Sequence, residues 1–247
     1  MRLKIFSYNI FGLPFLPDTV SNHLATWFTD TDYDLIFLQE VFTVGRIKIL
    51  TESLEKNGYT VIKPNDLALR TNILSSGLLS AFKKSRWNLL QEGFQFYEQS
   101  TLIENFANKG FHWLKLIQKN NLDPIMVINT HMQADNSVNF LTGYTDTKPI
   151  RRSQAEQILK QIEKTKLKHL IIGDINSENE PHDEFLYLTG KKNGIQKHTF
   201  IETGEDLDHV AYIPKFMQKA IPIVKEISVL SNLWWSDHWP IDVIVEL

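Results

Sequence analysis

The chain has 247 residues, a formal net charge of −3 and no cysteine. The absence of cysteine excludes disulfides, a disulfide-linked partner, thiolate metal sites and a cysteine nucleophile. A charge this small gives no overall basic field of the kind that attracts nucleic acid, although a local basic groove is still allowed. No linker, low-complexity block or internal repeat divides the sequence, and we therefore predict a single domain over residues 1–247.

The first strand predicted along the chain covers residues 2–8, where polar and apolar side chains alternate from Arg2 to Ile5. Its apolar run breaks at Ser7-Tyr8-Asn9, so it has no signal-peptide core, and no later window is apolar for long enough to span a bilayer. We therefore expect a protein that is cytoplasmic or exported by a route without a signal peptide.

The rest of the chain alternates between predicted strands and predicted helices. The strands are at 34–40, 59–63, 77–83, 87–96, 109–117, 125–132, 168–173, 206–213, 223–230 and 241–246, and the helices at 18–28, 43–56, 149–166 and 183–189. Strands outnumber helices, and the helices fall between strands. This order predicts two packed sheets with helices outside, an α/β sandwich.

The most informative stretch is the apolar run from His169 to Ile172, which is followed by Gly173, Asp174 and Asn176. The run has the length of a strand buried on both faces. If the backbone stays extended, Asp174 and Asn176 point to the same side of the sheet, and a carboxylate beside an amide suits phosphoryl chemistry. The alternative is an ordinary turn, because Gly, Asp and Asn all favour turns.

Several other predicted strands also end in a side chain that is able to bind a metal ion or a phosphate. These side chains are Asn9, Glu40, His131, Asp208, Asp237 and His238. Each has an ordinary alternative, namely a cap, a turn, a surface position or a structural histidine. If the strand ends meet at one rim, the set forms a cluster whose carboxylate and amide oxygens suit a hard divalent cation such as Mg²⁺.

In chain order, these residues resemble the motifs of the endonuclease/exonuclease/phosphatase superfamily. The matching segments are Ser7-Tyr8-Asn9, Leu38-Gln39-Glu40, Thr130-His131, Gly173-Asp174-Ile175-Asn176, Leu207-Asp208 and Ser236-Asp237-His238-Trp239-Pro240. The match spans nearly the whole chain. The resemblance implies a DNase I-like, four-layered α/β sandwich, in which two mostly antiparallel sheets are flanked by helices, and a metal-dependent phosphoesterase activity.

The resemblance also implies a metal site and a site for the reacting phosphate. Glu40 would be the principal ligand of Mg²⁺, or of another divalent cation such as Mn²⁺ or Co²⁺, with Asn9 and Asp237 assisting. Asp174 would activate or orient the attacking water, and Asn176 would hold the phosphate. No other cofactor is implied.

Two histidines complete the implied catalytic set. His131, paired with Asp208, would stabilise the charged phosphorane. His238, oriented by Asp237, would be the general base or acid. These roles are consistent with metal-assisted in-line displacement by water.

Within the superfamily, the chain is most similar to the neutral sphingomyelinase branch. The similar segments are Ile10–Pro14, Ser76–Ser80, Ala107–Phe111, Asn129–Ser137, and Arg151 or Arg152 with Gln154. This similarity implies a monomeric, sphingomyelinase C-like phosphodiesterase that hydrolyses a phospholipid head group during a transient contact with a membrane surface, with no nucleic acid as partner.

The chain departs from the secreted bacterial sphingomyelinases in two respects, since it shows no signal peptide and only residues 209–236 separate Asp208 from Asp237. Those enzymes carry a long aromatic-tipped hairpin there. The remaining candidates for a lipid contact are Phe216, Met217, Trp234 and Trp235, with core packing as the alternative for the tryptophans. The candidates for an aromatic recess around a quaternary ammonium group are Tyr144, Trp234, Trp235 and Trp239.

Two rival interpretations stay open at this stage, one with the same fold and another substrate and one without catalysis. A DNase-like nuclease or a phosphoinositide phosphatase has the same fold, and a nuclease is expected to have basic residues around its rim. Arg151-Arg152 and Lys83-Lys84 are present, but no long basic stripe accompanies them. A non-catalytic binding module is expected to have lost Glu40, Asp174 or His238, and all three are present.

Overall fold

The computed structural model of the chain describes residues 1–64, 74–101, 104, 107–135, 138–139, 143–144, 146–194, 198–217 and 221–247. The strands are β1 (Arg2–Asn9), β2 (Leu35–Gln39), β3 (Tyr59–Ile62), β4 (Leu79–Lys83), β5 (Trp87–Phe96), β6 (Gly110–Gln118), β7 (Pro124–His131), β8 (Val138–Asn139), β9 (Gly143–Tyr144), β10 (Lys168–Asp174), β11 (Leu186–Tyr187), β12 (Asp208–Tyr212), β13 (Ile223–Val229) and β14 (Ile241–Glu246). The α-helices are α1 (Thr19–Trp27), α2 (Val44–Lys56) and α3 (Lys148–Thr165). No α-helix in these ranges is long and apolar enough to cross a membrane.

The strands form two six-stranded sheets and a short β8–β9 ribbon. The first sheet has the order β13-β14-β1-β2-β4-β3, and the second has the order β11-β12-β10-β7-β6-β5. Each sheet is antiparallel except for one central parallel pair, β1 with β2 and β7 with β10. A parallel pair needs a crossover connection, and α1 and α3 provide these two crossovers. The predicted sandwich of two mostly antiparallel sheets is confirmed.

The layers follow from the alternation of apolar side chains along the central strands. Leu3 and Ile5 of β1 pack between the sheets, in a cluster with Val127 and Leu170 of the second sheet. Phe6 and Tyr8 of β1 face outward, in a cluster with residues of α1 and α2. The outer face of the second sheet packs in the same way against Ala155, Ile158 and Ile162 of α3. The order of layers is therefore helix, sheet, sheet, helix, as the resemblance implied.

The element predictions are correct to within a few residues, except for the helix predicted at 183–189. There Leu186 and Tyr187 form strand β11, which pairs with Tyr212 and Ala211 at the edge of the second sheet. The Tyr187 hydroxyl donates to the carbonyl oxygens of Ser177 and Asn179. The backbone groups of these two residues form their hydrogen bonds with β12, which is not a neighbour in sequence. Local helix propensity therefore did not predict this strand.

A buried amide pair connects the two sheets directly behind two predicted site residues. Gln39 Nε2 donates to Asn129 Oδ1 at 2.9 Å, and Asn129 Nδ2 donates to the carbonyl oxygens of Leu38 and Leu79 at 3.2 and 3.1 Å. Because Gln39 precedes Glu40 and Asn129 lies two residues before His131, this pair fixes the register between the two strand ends.

Candidate active site

A cleft with a volume of about 470 Å³ opens where β1, β2, β7 and β10 end. The predicted site residues that line it are Asn9, Glu40, His131, Asp174, Asn176, Asp237 and His238. Asp208 lies directly behind the lining, where it is hydrogen-bonded to His238. The structure therefore brings together all the residues that the sequence analysis singled out for a metal or catalytic role, although they are distant along the chain.

Strand register explains why three of these residues meet. Asp174 at the end of β10 lies opposite His131 on the parallel neighbour β7 and opposite Asp208 on the antiparallel neighbour β12. The end of β1 is placed in the same way, because Asn9 lies opposite Gln39 at the end of β2. Neighbouring strands hold each of these side chains in position.

Asn9 links the two carboxylates at the base of the cleft. Its Nδ2 donates to Glu40 Oε1 at 3.0 Å and to Asp174 Oδ2 at 2.9 Å, and its Oδ1 accepts from the backbone N–H of Phe11. Glu40 itself has a left-handed backbone, with φ +61. A Cβ atom at Gly12 would lie only 2.0 Å from the Glu40 carbonyl oxygen, so the chain passes close to Glu40 at a position where a side chain does not fit.

The donor set of this cleft fits a divalent cation. Burial raises the pKa of the carboxyl groups of Glu40, Asp174 and Asp237, which means that each charge is poorly stabilised by the protein alone. Hard oxygen donors of this kind are the ligands that Mg²⁺ takes in proteins. Glu40 and Asp237 present their carboxylates, whereas Asn9 directs its NH₂ group to the carboxylates and its oxygen away from them.

His238 is paired with Asp208, not with its sequence neighbour Asp237. His238 Nδ1 lies 2.7 Å from Asp208 Oδ2, and His238 Nε2 lies 3.7 Å from Asp174 Oδ2. Burial alone lowers the pKa of His238, but Asp208 and Asp174 outweigh it and raise this pKa to about 10. The Asp237 carboxylate instead lies 3.1 Å from the hydroxyl of Ser236. The predicted orientation of His238 by Asp237 is therefore wrong, because the β12 strand end places Asp208 against the ring.

Asp174, Asp208 and His238 also offer three ligand atoms within 4.8 Å of one another. The facing atoms of His238 and Asp208 already share a proton in their hydrogen bond. This group consequently has the arrangement of an acid–base pair.

His131 is paired with Lys109, and the predicted pairing of His131 with Asp208 is wrong. Lys109 Nζ lies 3.1 Å from His131 Nε2, donates to the Met132 carbonyl oxygen at 2.9 Å, and forms an ion pair with Glu104. Burial and the Lys109 ammonium group hold the pKa of His131 well below its usual range, so the ring is neutral. The sequence analysis gave Lys109 no role, although this residue lies inside the Ala107–Phe111 segment that it had singled out.

Asp174 and Asn176 combine the two interpretations that the sequence left open. The backbone does not stay extended, since Asn176 has φ +55 and its N–H donates to Asp174 Oδ1 at 2.9 Å. This is the local turn that Asp and Asn favour. Both side chains nevertheless line the cleft, and Asn176 Nδ2 donates to the Met132 carbonyl oxygen at 3.1 Å.

The residues around Gln133, which the sequence analysis compared with the sphingomyelinase branch, hold the loop that follows β7. The backbone N–H of Gln133 donates to Gln154 Oε1 at 3.0 Å, and its carbonyl oxygen accepts from Arg151 at 3.0 Å. Arg151 also forms a 2.6 Å ion pair with Asp135. Arg151 and Gln154 are thus the pair that matches the motif, and Arg152 is at the surface near Asp183. Residues 136–137 of this segment lie outside the described residues.

The aromatic candidates for lipid contact differ in exposure. Trp234 is 71% exposed, whereas Met217 is fully buried. Trp235 is half-buried and stacks on His23, with ring centroids 4.8 Å apart. Phe216 and Trp239 are half-buried, and the side chain of Tyr144 lies outside the described residues. Met217 is therefore excluded as a lipid contact.

No family model and no curated protein matches this sequence. Solved structures do match. The endonuclease/exonuclease/phosphatase from Bacteroides vulgatus aligns with a TM-score of 0.73 at 17% identity, over 100% of this chain and 99% of that chain. Sphingomyelinase C from Streptomyces griseocarneus aligns with a TM-score of 0.73 at 17% identity, over 99% of each chain. D. rerio TDP2 complexed with single strand DNA product aligns with a TM-score of 0.73 at 13% identity, over 100% of this chain and 99% of that chain. The chain therefore has the endonuclease/exonuclease/phosphatase, or DNase I-like, fold that its motifs predicted.

Proposed function

We propose that this protein is a divalent-metal-dependent phosphodiesterase that hydrolyses the head group of a zwitterionic phospholipid, with sphingomyelin as the leading substrate. The observation that carries this proposal is the convergence in one cleft of a carboxylate pair, an acid–base pair and a buried lysine. The carboxylate pair is Glu40 and Asp174, linked by Asn9. The acid–base pair is His238 with Asp208.

The side chains divide the work of hydrolysis between them. Asp174 accepts the proton of the attacking water as the new bond to phosphorus forms, and the bond from phosphorus to the lipid oxygen breaks. His238, which its carboxylate neighbours keep protonated, donates its proton to the leaving lipid oxygen. Lys109 carries the positive charge beside the neutral His131 and stabilises charge on the phosphoryl oxygens.

Glu40 and Asp237 would hold the divalent cation. When bound, such a cation polarises a phosphoryl oxygen and lowers the pKa of a bound water. Asn9 keeps the carboxylates of Glu40 and Asp174 in register, and Asn176 offers a side chain toward the phosphate at the turn after β10.

The charge of the cleft supports a substrate that carries a cation beside its phosphate. The described lining residues with a carboxylate are Glu40, Glu104, Asp135, Asp174, Glu205 and Asp237. Glu40 and Asp237 would be neutralised by the cation that they hold, and His238 is protonated, so little of this negative charge remains in the working site. Lys109, the one lysine or arginine among the described lining residues, pairs with Glu104. These lining residues therefore offer no unpaired lysine or arginine for the polyanionic backbone of DNA or for the additional phosphates of a phosphoinositide. A zwitterionic phosphocholine ester carries its own cation and matches this lining better.

The test compares three substrates at equal enzyme and Mg²⁺, with and without chelator. Phosphocholine release from sphingomyelin micelles is expected, and chelator and the variant Glu40→Gln are each expected to abolish it. Efficient nicking of supercoiled DNA without phosphocholine release would assign the protein to the nuclease branch. Phosphate release from a phosphoinositide would assign it to the phosphatase branch, and inactivity in all three assays would favour a binding module.

A further inference from the structure

The loop of residues 10–17, here called the rim loop, connects β1 to α1 beside the active-site cleft. Its sequence, Ile-Phe-Gly-Leu-Pro-Phe-Leu-Pro, contains no charged or polar side chain. Leu13 and Phe15 line the cleft, yet Phe15 is 80% exposed and Phe11 is 36% exposed. Large apolar side chains grouped on the surface mark interaction sites, whereas single exposed ones are ordinary.

The rim loop is held rigidly, although its side chains face solvent. Buried Arg46 of α2 donates to the carbonyl oxygens of Gly12, Leu13 and Leu16, the last two at 2.8 and 2.6 Å. Arg46 Nε also forms a 3.0 Å ion pair with Asp18. A guanidinium group that satisfies this many loop carbonyls fixes the backbone, so the exposure of Phe15 is a built feature of the loop and not a consequence of fraying.

The chain segment that leads into the catalytic Asp237-His238 lies against the same loop. Trp235 lines a small cavity of about 170 Å³ together with Phe11 and Leu16. Its neighbour Trp234 is 71% exposed. The exposed side chains of Phe11, Phe15 and Trp234, here called the rim patch, therefore belong to two segments that contact each other beside the cleft.

We infer that the rim patch docks on the surface of a zwitterionic lipid bilayer or micelle and inserts its side chains among the acyl chains. The inference rests on the proposed function, because docking at this place presents a lipid head group to the cleft. The charges decide the occupant. The rim loop has no cation for a phosphate backbone, and its nearest guanidinium group, Arg46, is occupied by loop carbonyls and Asp18. An uncharged aromatic patch, beside a cleft whose described lining has no unpaired lysine or arginine, matches an apolar surface covered by zwitterionic head groups.

The test measures vesicle binding separately from catalysis. Co-sedimentation with vesicles of sphingomyelin and phosphatidylcholine is measured in chelator, so that no lipid is hydrolysed. The variants are Phe15→Ser, Trp234→Ser and the matched control Leu122→Ser. Leu122 is 90% exposed, but it lies just before the start of β7. His131 is at the other end of that strand, roughly 25 Å away. Thermal unfolding of each variant verifies that it is folded.

Phe15→Ser is expected to weaken vesicle binding by about tenfold or more, because one large apolar side chain no longer enters the lipid. Trp234→Ser is expected to weaken it to a similar degree, and Leu122→Ser is expected to leave it unchanged. The inference is overturned if the wild type does not sediment with vesicles, or if Phe15→Ser sediments as the wild type does. It is also overturned if Phe15→Ser impairs DNA binding instead.

A second assay separates this inference from the proposed function. Turnover of water-soluble p-nitrophenyl phosphocholine is compared with turnover of vesicle sphingomyelin, and Phe15→Ser is expected to lose at least about ten times more on vesicles. If no variant hydrolyses either substrate but Phe15→Ser still loses vesicle binding, the proposed function fails and the docking surface stands. If hydrolysis is present but Phe15→Ser loses equally on both substrates, the docking surface fails and the function stands.

Discussion

At the scale of single residues, the cleft brings together ionisable side chains that are usually exposed to water, which stabilises their charged forms. Glu40, Asp174 and Asp237 are carboxyls with raised pKa, and His238 is a histidine with raised pKa, all facing one volume. Perturbed titratable groups collected in a cleft are typical of catalytic sites. Two of the predictions that follow are measured on individual side chains.

The first prediction concerns Glu40 as the centre of the cation site. A ligand that binds only the folded state stabilises it by about 2.7 kcal/mol at a concentration of 100 Kd, so Mg²⁺ or Mn²⁺ is expected to raise the unfolding temperature by several degrees. Glu40→Gln keeps the size and removes the charge, and it is expected to abolish both this shift and metal-dependent turnover. The metal-free unfolding temperature is expected to be unchanged or higher, because a poorly stabilised charge is removed. An undiminished thermal shift in Glu40→Gln would contradict the assignment.

The second prediction concerns the proton transfers. General acid–base groups contribute about 10²–10⁴-fold each, so His238→Ala and Asp174→Asn are each expected to lower kcat by about that factor. Asp208→Asn removes the partner of His238 Nδ1 and is also expected to lower kcat. The double variant His238→Ala with Asp208→Asn should be no worse than His238→Ala alone, because Asp208 acts through the ring. Activity of His238→Ala within a few-fold of the wild type would remove His238 from the mechanism.

At the scale of elements, the site depends on how closely the central strands approach each other at their ends. Gly173, next to Asp174, has φ +137, and a Cβ atom there would lie 2.1 Å from the Thr130 carbonyl oxygen of the adjacent strand. A side chain at this position would separate β7 from β10 and therefore His131 from Asp174. Glycine is required here for both its conformation and its lack of volume.

The third prediction uses this position. Gly173→Ala is expected to lower the free energy of unfolding by about 3 kcal/mol or more, because it adds a backbone clash to the strain of a positive φ. The matched control is Gly58→Ala, where φ is +80 and no atom lies within 4 Å of the added Cβ. The control substitution is expected to lower the free energy of unfolding by only about 1–2 kcal/mol, because it adds the strain of a positive φ without a clash. Urea unfolding of both variants measures the difference, and equal costs would refute the argument from close approach.

At the scale of the whole molecule, stability depends on buried polar groups that keep their neutral form. His169 at the start of β10 is one of them, since its Nδ1 lies 2.9 Å from the Leu167 carbonyl oxygen and its Nε2 accepts from the backbone N–H of Ile213 at 3.0 Å. Burial lowers the pKa of His169 to about 4. A protonated ring would lose the bond to Ile213, so the fold resists protonation of this side chain.

The fourth prediction follows from the sign of that shift. Above the pKa of an unfolded histidine, the ring is neutral in both states and costs nothing. As the pH falls below about 6.5, the histidine of the unfolded chain is protonated first. The contribution of His169 to the free energy of unfolding is therefore expected to fall by about 2 kcal/mol between pH 7 and pH 5. His169→Asn is expected to be less stable at pH 7 but to lose correspondingly less on acidification. The measurement is urea unfolding at both pH values, and parallel losses in wild type and variant would contradict the prediction.

The sequence by itself was sufficient for the central strands, the helices that join them, and the carboxylate, amide and histidine residues singled out for the cleft, but not for Lys109. The alternation of apolar and polar side chains is visible within a few residues, so it predicts each strand locally. The order of the strands and helices then predicts an α/β sandwich. Polar residues such as Asn9, Glu40 and Asp174 stand out because they end otherwise buried runs. The edge strand β11 was missed because two residues carry too little pattern to outweigh local helix propensity.

The tertiary structure alone decided which of these residues pair with each other. Adjacency in sequence indicated Asp237 as the partner of His238, but the antiparallel register of β12 against β10 places Asp208 at the ring instead. The role of Lys109 depends in the same way on β6 lying beside β7, which sets its ammonium group 3.1 Å from His131. Hydrogen bonds and ion pairs act over a few ångströms, and residues far apart in the chain come within that distance only through strand register and sheet packing. The sequence therefore indicates most members of the site, whereas strand register and sheet packing determine which of them pair and bring Lys109 among them.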